Sequence, residues 1–336
     1  MLGNMHVIPV LLIAVSGLAI LLVSGRFTIR GAVNMARCLG VSPLMIGMTV
    51  VAFGTSAPEL IVSLQALWKG APDIVFGNVL GSNTANILLV VGVAAAIKTL
   101  VVPGGRKLRQ NYILLLVFTA IYVVLCCIGK ISGLLGLLMV VGLVGYTIHS
   151  FRSSRKEGQR SGVVPESTEK GSEEILSLGR AVLYTTGGIF FIICGAGILL
   201  EGSVELARRL EIPDVVIGLT VIAIGTSLPE LAASAMAAVR GHPGLAIGNV
   251  MGSNLFNMFG ITGVSAGVSG VFFESLKVPL QVVQFDLWVM SGSTVLICMI
   301  LLRGWRIVRL GGVAMLALYL LYIAVLFSKT SFAFPG

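Results

Sequence analysis

Two stretches of this chain repeat each other at one fixed spacing, and that repeat constrains the fold more than any other feature. Residues 41–60 read VSPLMIGMTVVAFGTSAPEL, and residues 212–231 read IPDVVIGLTVIAIGTSLPEL. Further along, GNVLGSNTANI at 77–87 faces GNVMGSNLFNM at 248–258. The offset is 171 at every matching position, with no gap. Accident is a poor account of two polar motifs repeated at one offset. The chain is two copies of one unit.

Apolar runs of spanning length lie near 5–24, 41–67, 73–97, 111–128, 131–149, 180–200, 212–239, 244–272, 284–302 and 307–327. They predict ten transmembrane helices, five in each copy. An odd number of spans per copy inserts the second copy upside down, the inverted-repeat arrangement of secondary transporters. Composition agrees. Apolar residues make up 56% of the chain and charged residues 11%, against about 25% charge in soluble domains. The runs are continuous, whereas barrel strands alternate. The expected fold class is therefore an all-α integral membrane protein. The net charge of +9 would suggest nucleic acid in a soluble protein; here no nucleic-acid partner is expected.

Residues 150–179 form the one long polar segment, rich in Ser, Gly and charge. They read as a flexible linker. The expected organisation is a first five-helix repeat at 1–149, a linker at 150–179 and a second repeat at 180–336. With the N-terminus outside, 17 of the 23 Lys and Arg residues fall in inside loops and 6 outside. That asymmetry predicts a multi-pass protein of the plasma or inner membrane, with both termini outside and the linker cytoplasmic. The N-terminus has no Lys or Arg before its apolar run, so it makes a poor signal peptide and the first helix is expected to stay.

Glu59 and Glu230 carry the most information. Each sits inside an apolar run at the same place in its repeat. A carboxylate at membrane depth is expensive and is usually functional. No Lys or Arg lies in the core of any proposed helix, so a cation from solution is the natural counter-charge. Pro58 and Pro229 directly precede the glutamates and break the helices, freeing the carbonyls of Gly54 and Gly225. Broken helices at this depth line cavities and offer carbonyls to cations. Thr55, Ser56, Thr226 and Ser227 add hydroxyls beside the breaks. On the next helix, Ser82 and Asn86 are four apart, as are Ser253 and Asn257, so each pair shares a face. Gly77 with Gly81, and Gly248 with Gly252, allow close helix approach. Asn78, Asn83, Asn249 and Asn254 lie on other faces, where hydrogen bonding between helices is the expected role. All these ligands are hard oxygens, which suit Ca2+, Na+ or similar cations.

The motifs GTSAPEL and GTSLPEL, with GNVLGSNTAN and GNVMGSNLFN, resemble the paired repeats of the sodium/calcium exchanger family, in its short prokaryotic type. The resemblance covers nearly the whole chain. It implies a transporter, not an enzyme, that exchanges Na+ for Ca2+ by alternating access, with the first and sixth helices moving against a fixed site. It implies a Ca2+ site built by Glu59, Glu230 and the backbone oxygens of Thr55 and Thr226. It implies Na+ sites drawing on these groups with Ser56, Ser82, Ser227, Ser253 and the carbonyls of Ala52 and Ala223. Asn86 and Asn257 would contact the middle of the site. Potassium-dependent exchangers carry Asp where Asn257 stands, as do some prokaryotic homologues, so K+ co-transport is not expected. The linker is too short for the calcium-sensing domains of animal exchangers. A proton- or potassium-coupled antiporter on the same scaffold is the alternative, and a cation channel a more distant one. No cofactor and no obligatory protein partner are expected; the partners are the two ions and the lipid bilayer.

Other polar residues have plainer readings. Asp73 and Asp214 are expected as helix caps. Glu201, Glu205, Glu211 and Glu274 are expected as loop charges. Trp68, Trp288 and Trp305 suit the membrane interface. The five cysteines lack metal-site spacing and read as reduced packing residues.

Overall fold

The structure, a computed structural model, describes residues 7–101, 106–161, 175–210 and 225–333. Ten helical spans succeed one another. They are α1 (Val7–Leu39), α2 (Pro43–Thr55 and Ala57–Trp68), α3 (Asp73–Ile97), α4 (Arg106–Cys127) and α5 (Gly133–Ser161). Then come α6 (Leu178–Arg209), α7 (described over Leu228–Val239), α8 (Pro243–Phe272), α9 (Asp286–Leu302) and α10 (Arg309–Ala333). Among the described residues, seven are long and apolar enough to cross a bilayer, and the bent pair of α2 makes an eighth. The shorter apolar helices α7 and α9 complete the two inverted sets of five. The protein is an all-α integral membrane protein.

Helix ends follow backbone chemistry more than hydropathy. The first apolar run closes near residue 24, yet α1 continues to Leu39, so Arg26, Arg30 and Arg37 stand on the helix and not in a loop. What stops it is Gly40, with φ of +67°. Gly40 donates its N–H to the Arg37 carbonyl (3.2 Å) and Val41 to that of Ala36 (3.0 Å), a cap that needs a left-handed residue. Likewise α6 runs to Arg209, so Glu201 and Glu205 lie on its last turns, where Glu205 pairs with Arg209 at 2.8 Å. This corrects their expected place in a loop. Asp73 opens α3 without a side-chain cap bond, because Pro72 holds the cap position; its charge still faces the positive helix end. Helix α5 continues through the first polar residues to Ser161. Asp214 and Glu211 lie outside the described residues. All five cysteines are free thiols.

The repeat is visible in the packing. Helices α1 and α6 lie antiparallel along glycines that leave no room for a side chain. A Cβ on Gly17 would sit 2.8 Å from the Leu199 Cα, and one on Gly188 3.0 Å from the Thr28 Cα. These two contacts exchange under the 171-residue offset. Helices α3 and α8 are the most buried of the long spans. Both contain a π-helical stretch, Asn86–Val91 and Phe256–Ile261. Such stretches add a residue to a turn and gather at functional sites.

Two small backbone clasps join the halves. Strand β1 (Lys130–Ile131), between α4 and α5, pairs antiparallel with β2 (Leu276–Lys277), between α8 and α9. At the other face Leu100, after α3, and Ile307, before α10, exchange N–H bonds of 2.9 and 3.0 Å. The two clasps are repeat counterparts, each a Leu–Ile pair, at a spacing that has widened to 176 residues.

Candidate cation site

The site begins with two helix breaks. Helix α2 bends by 40° between its parts. Ser56, at the break, has φ −87° and ψ 6°; Ser227, at the corresponding point before α7, has φ −87° and ψ 3°. Both occupy the sparsely allowed bridge region, where many functional residues sit. Pro58 and Pro229 then start the new helix parts at positions where a missing N–H is harmless. Glu59 and Glu230 follow in the first turn of each part. The positive end of a helix there favours their charge.

Both glutamates are buried, at 1% and 0% exposure, and they repel each other across the site. No Lys or Arg stands beside either among the described residues. Ser56 donates its hydroxyl to Glu230 Oε1 at 2.8 Å, a bond from one repeat to the other. Both oxygens of Glu59 and Oε2 of Glu230 have no hydrogen-bond partner. Neither have Ser227 Oγ, Ser253 Oγ, Asn86 Oδ1, Asn83 Oδ1 and both amide atoms of Asn257. Buried polar atoms are nearly always satisfied, and each exception needs an explanation. Nine of the thirteen exceptions among the described residues gather here. An uncompensated pair of buried carboxylates is strongly unfavourable, so the arrangement suits a cation. No cluster of three or more His, Cys, Asp or Glu occurs among the described residues. The donor set is hard oxygen.

The remaining ligand candidates have the following surroundings. Thr55 is fully buried and its hydroxyl lies 3.3 Å from Asn249 Oδ1 and 3.4 Å from the Ala52 carbonyl. The Ala52 carbonyl also accepts the Ser56 N–H (3.0 Å), so only part of its acceptor capacity remains. Ser82 turns its proton back to the Asn78 carbonyl at 2.6 Å, which leaves its lone pairs available. Ser253 is buried and Thr226 half-buried. Ala223 lies outside the described residues.

The asparagines of the second motif lace the helices, as expected. Asn78 donates to the Glu59 carbonyl and to Ser63 Oγ, both at 2.9 Å. Asn249 donates to the Glu230 carbonyl (3.5 Å) and Ser234 Oγ (3.0 Å). Ser63 and Ser234 are themselves repeat counterparts, found by the 171 offset but carrying no motif. Asn83 and Asn254 donate to each other's carbonyls at 3.3 Å, on the pseudo-two-fold axis. Asn86 adds a bond to Asn254 Oδ1 at 3.1 Å. Replacing Asn249 by Ala removes three buried bonds, including the one it accepts from the Thr55 hydroxyl, and takes away the donor to Ser234. The expected outcome is a loss of about 1–3 kcal/mol, read as a lower thermal midpoint, together with slower ion exchange.

Comparison with known proteins gives this geometry a family. The model of the family described as "Sodium/calcium exchanger protein" matches residues 9–152 and 180–328. The chain belongs to the sodium/calcium exchanger family. The exchanger is 34% identical to the sodium/calcium exchanger MaX1 of Methanosarcina acetivorans, over 94% of this chain and 98% of that one. It is 34% identical to the putative antiporter CaxA of Alkalimonas amylolytica, over 93% and 97%. The solved sodium-calcium exchanger NCX_Mj superposes with a TM-score of 0.79 and 30% identity, covering 95% of this chain and 99% of that one. The exchanger is thus a multi-pass membrane antiporter of cations including Ca2+, and not an enzyme.

Proposed function

We propose that the protein exchanges Na+ for Ca2+ by alternating access at one site between its repeats. The observation that carries this is the pair Glu59 and Glu230, buried without a basic partner and ringed by unpartnered hard oxygens. Two carboxylates balance one Ca2+ or two Na+, so the ions compete, and competition at one site is the basis of antiport. Glu59 and Glu230 hold Ca2+ with the backbone oxygens of Thr55 and Thr226. Na+ uses the same carboxylates with Ser56, Ser82, Ser227, Ser253 and the carbonyls of Ala52 and Ala223. Asn86 and Asn257 supply neutral amide oxygens at the middle. The neutral Asn257 argues against a dedicated K+ position.

The excess of Lys and Arg at one set of span ends and connections, part of it on the helix ends themselves, supports a cytoplasmic linker and both termini outside. The repeats, 1–149 and 180–336, each contribute half the site. An inward Na+ gradient then drives Ca2+ out of the cell.

The test is direct. Vesicles holding the protein, loaded with Na+ and diluted into Na+-free medium, take up Ca2+ at a rate set by the Na+ gradient and indifferent to K+. Uptake that ignores Na+ and follows a proton gradient would replace this reading with proton-coupled antiport. Uptake that runs only down the Ca2+ gradient would make the protein a channel.

A further inference from the structure

We propose that Tyr122 and Thr262 are positioning residues that hold Asn257 and so set how the site divides its preference between Ca2+ and Na+. This deepens the exchange reading above and rests on it. Asn257 is fully buried, and neither atom of its amide has a partner. Its counterpart Asn86 is tied by its amide nitrogen to Asn254. The two asparagines are therefore unequal, and what fixes Asn257 is its backbone. It lies in the π-helical stretch Phe256–Ile261. Thr262 donates its N–H to the Asn257 carbonyl, and its hydroxyl donates to the same oxygen at 3.4 Å. The Tyr122 hydroxyl, arriving from α4, lies 3.1 Å from Thr262 Oγ1. With the threonine proton on Asn257, Tyr122 is the donor to Thr262.

This arm has no copy in the other half. The 171 offset sets Val91 where Thr262 stands, and the 176 spacing of the later loops sets Cys298 where Tyr122 stands. Both are buried and neither brings a hydroxyl. Tyr122 and Thr262 are fully buried as well, where Phe and Val would pack and need no partner. A hydrogen-bonded chain running from a second helix to the carbonyl of Asn257 holds the residue whose amide is offered whole to the cargo. Loosening it leaves every ligand in place but frees the amide to shift.

The experiment measures half-saturating Ca2+ and half-saturating Na+ in vesicles for wild type, Thr262→Val, Thr262→Ser and Tyr122→Phe. The ratio of the two is expected to shift by about threefold or more in Thr262→Val and Tyr122→Phe, the order one net hydrogen bond supplies. Thr262→Ser restores the wild-type ratio. A purely structural role would lower the thermal midpoint and maximal rate with the ratio unchanged, and that result overturns the proposal. Tyr122→Phe, which loses one hydroxyl, decides alone if Thr262→Val fails to assemble. Exchange that survives Glu59→Gln would instead overturn the site reading beneath it.

Discussion

Replacing Glu59 or Glu230 by Gln is expected to abolish Na+-dependent Ca2+ uptake while leaving the protein folded. Glutamine keeps the shape of the side chain and one oxygen, and removes the charge. Both carboxylates are buried and no Lys or Arg stands beside either among the described residues. Truncating one partner of a buried charge pair costs about 2–5 kcal/mol, which is at least ~30-fold in affinity. Here the lost partner faces a divalent cation, so the upper part of that range applies. Stability should move the other way. Without ions, two buried carboxylates repel each other, and neutralising one relieves the repulsion. Each variant is expected to match or exceed the wild-type thermal midpoint in ion-free detergent. Ca2+ should raise the midpoint of the wild type, because it binds only the folded state, and leave the variants unmoved. Wild-type exchange in either variant would remove the glutamates from the site.

The second large effect is expected at Gly252, the residue before Ser253. A Cβ there would overlap the Met48 carbonyl and lie 2.6 Å from the Met48 Cα and 2.7 Å from the Ala52 Cβ. Two of these obstacles are backbone, and real Cβ atoms do not approach so closely. Gly252→Ala must therefore push α8 away from the first part of α2. Overpacking of this kind costs about 1–3 kcal/mol in stability. The functional loss should be greater, because the contact lies next to Ser253 on α8 and one turn before Thr55 and Ser56 on α2. Displacement by a few tenths of an ångström opens an oxygen cage that must fit an ion. Exchange should fall at least about tenfold, the effect of about 1.4 kcal/mol. A variant with wild-type transport and thermal midpoint would show that the close approach has no part in the site. Gly248 meets Leu44 in the same way one turn earlier. A Cβ on Gly77 or Gly81 meets nothing within 4 Å among the described residues.

How much of this was legible in the sequence follows from what each feature looks like there. A glutamate in an apolar run stands out against its surroundings, and the constant offset by itself pairs Glu59 with Glu230. The lacing asparagines were legible for the same reason. Ser63 and Ser234 were not, because a single serine in an apolar helix does not stand out until its partner is found. The length of α1 was hidden because Arg26, Arg30 and Arg37 look like a loop, whereas a helix ends where a cap forms, at Gly40. Clasps of one or two residues have no periodicity to detect. The widening of the repeat spacing from 171 to 176 also conceals that Leu100 and Leu276, and Ile131 and Ile307, correspond. Thr262 was invisible as a positioning residue because its counterpart is Val91 and no motif reaches it.

The clasps bear on motion. They stitch connections among α3, α4, α5, α8, α9 and α10, one seam at each face, and neither touches α1 or α6. On the alternating-access reading proposed above, these two helices are the shuttle and the clasped helices are the frame it runs in. The shuttle is also on a leash. Leu39 and Pro43 are only four Cα steps apart, so the end of α1 and the start of α2 can never be more than about 15 Å from each other. Gly40, held left-handed by its cap, takes up part of that length. On that reading the stroke is metered by three residues of plain chain, and lengthening or stiffening them is expected to change ion turnover without altering a single ion ligand.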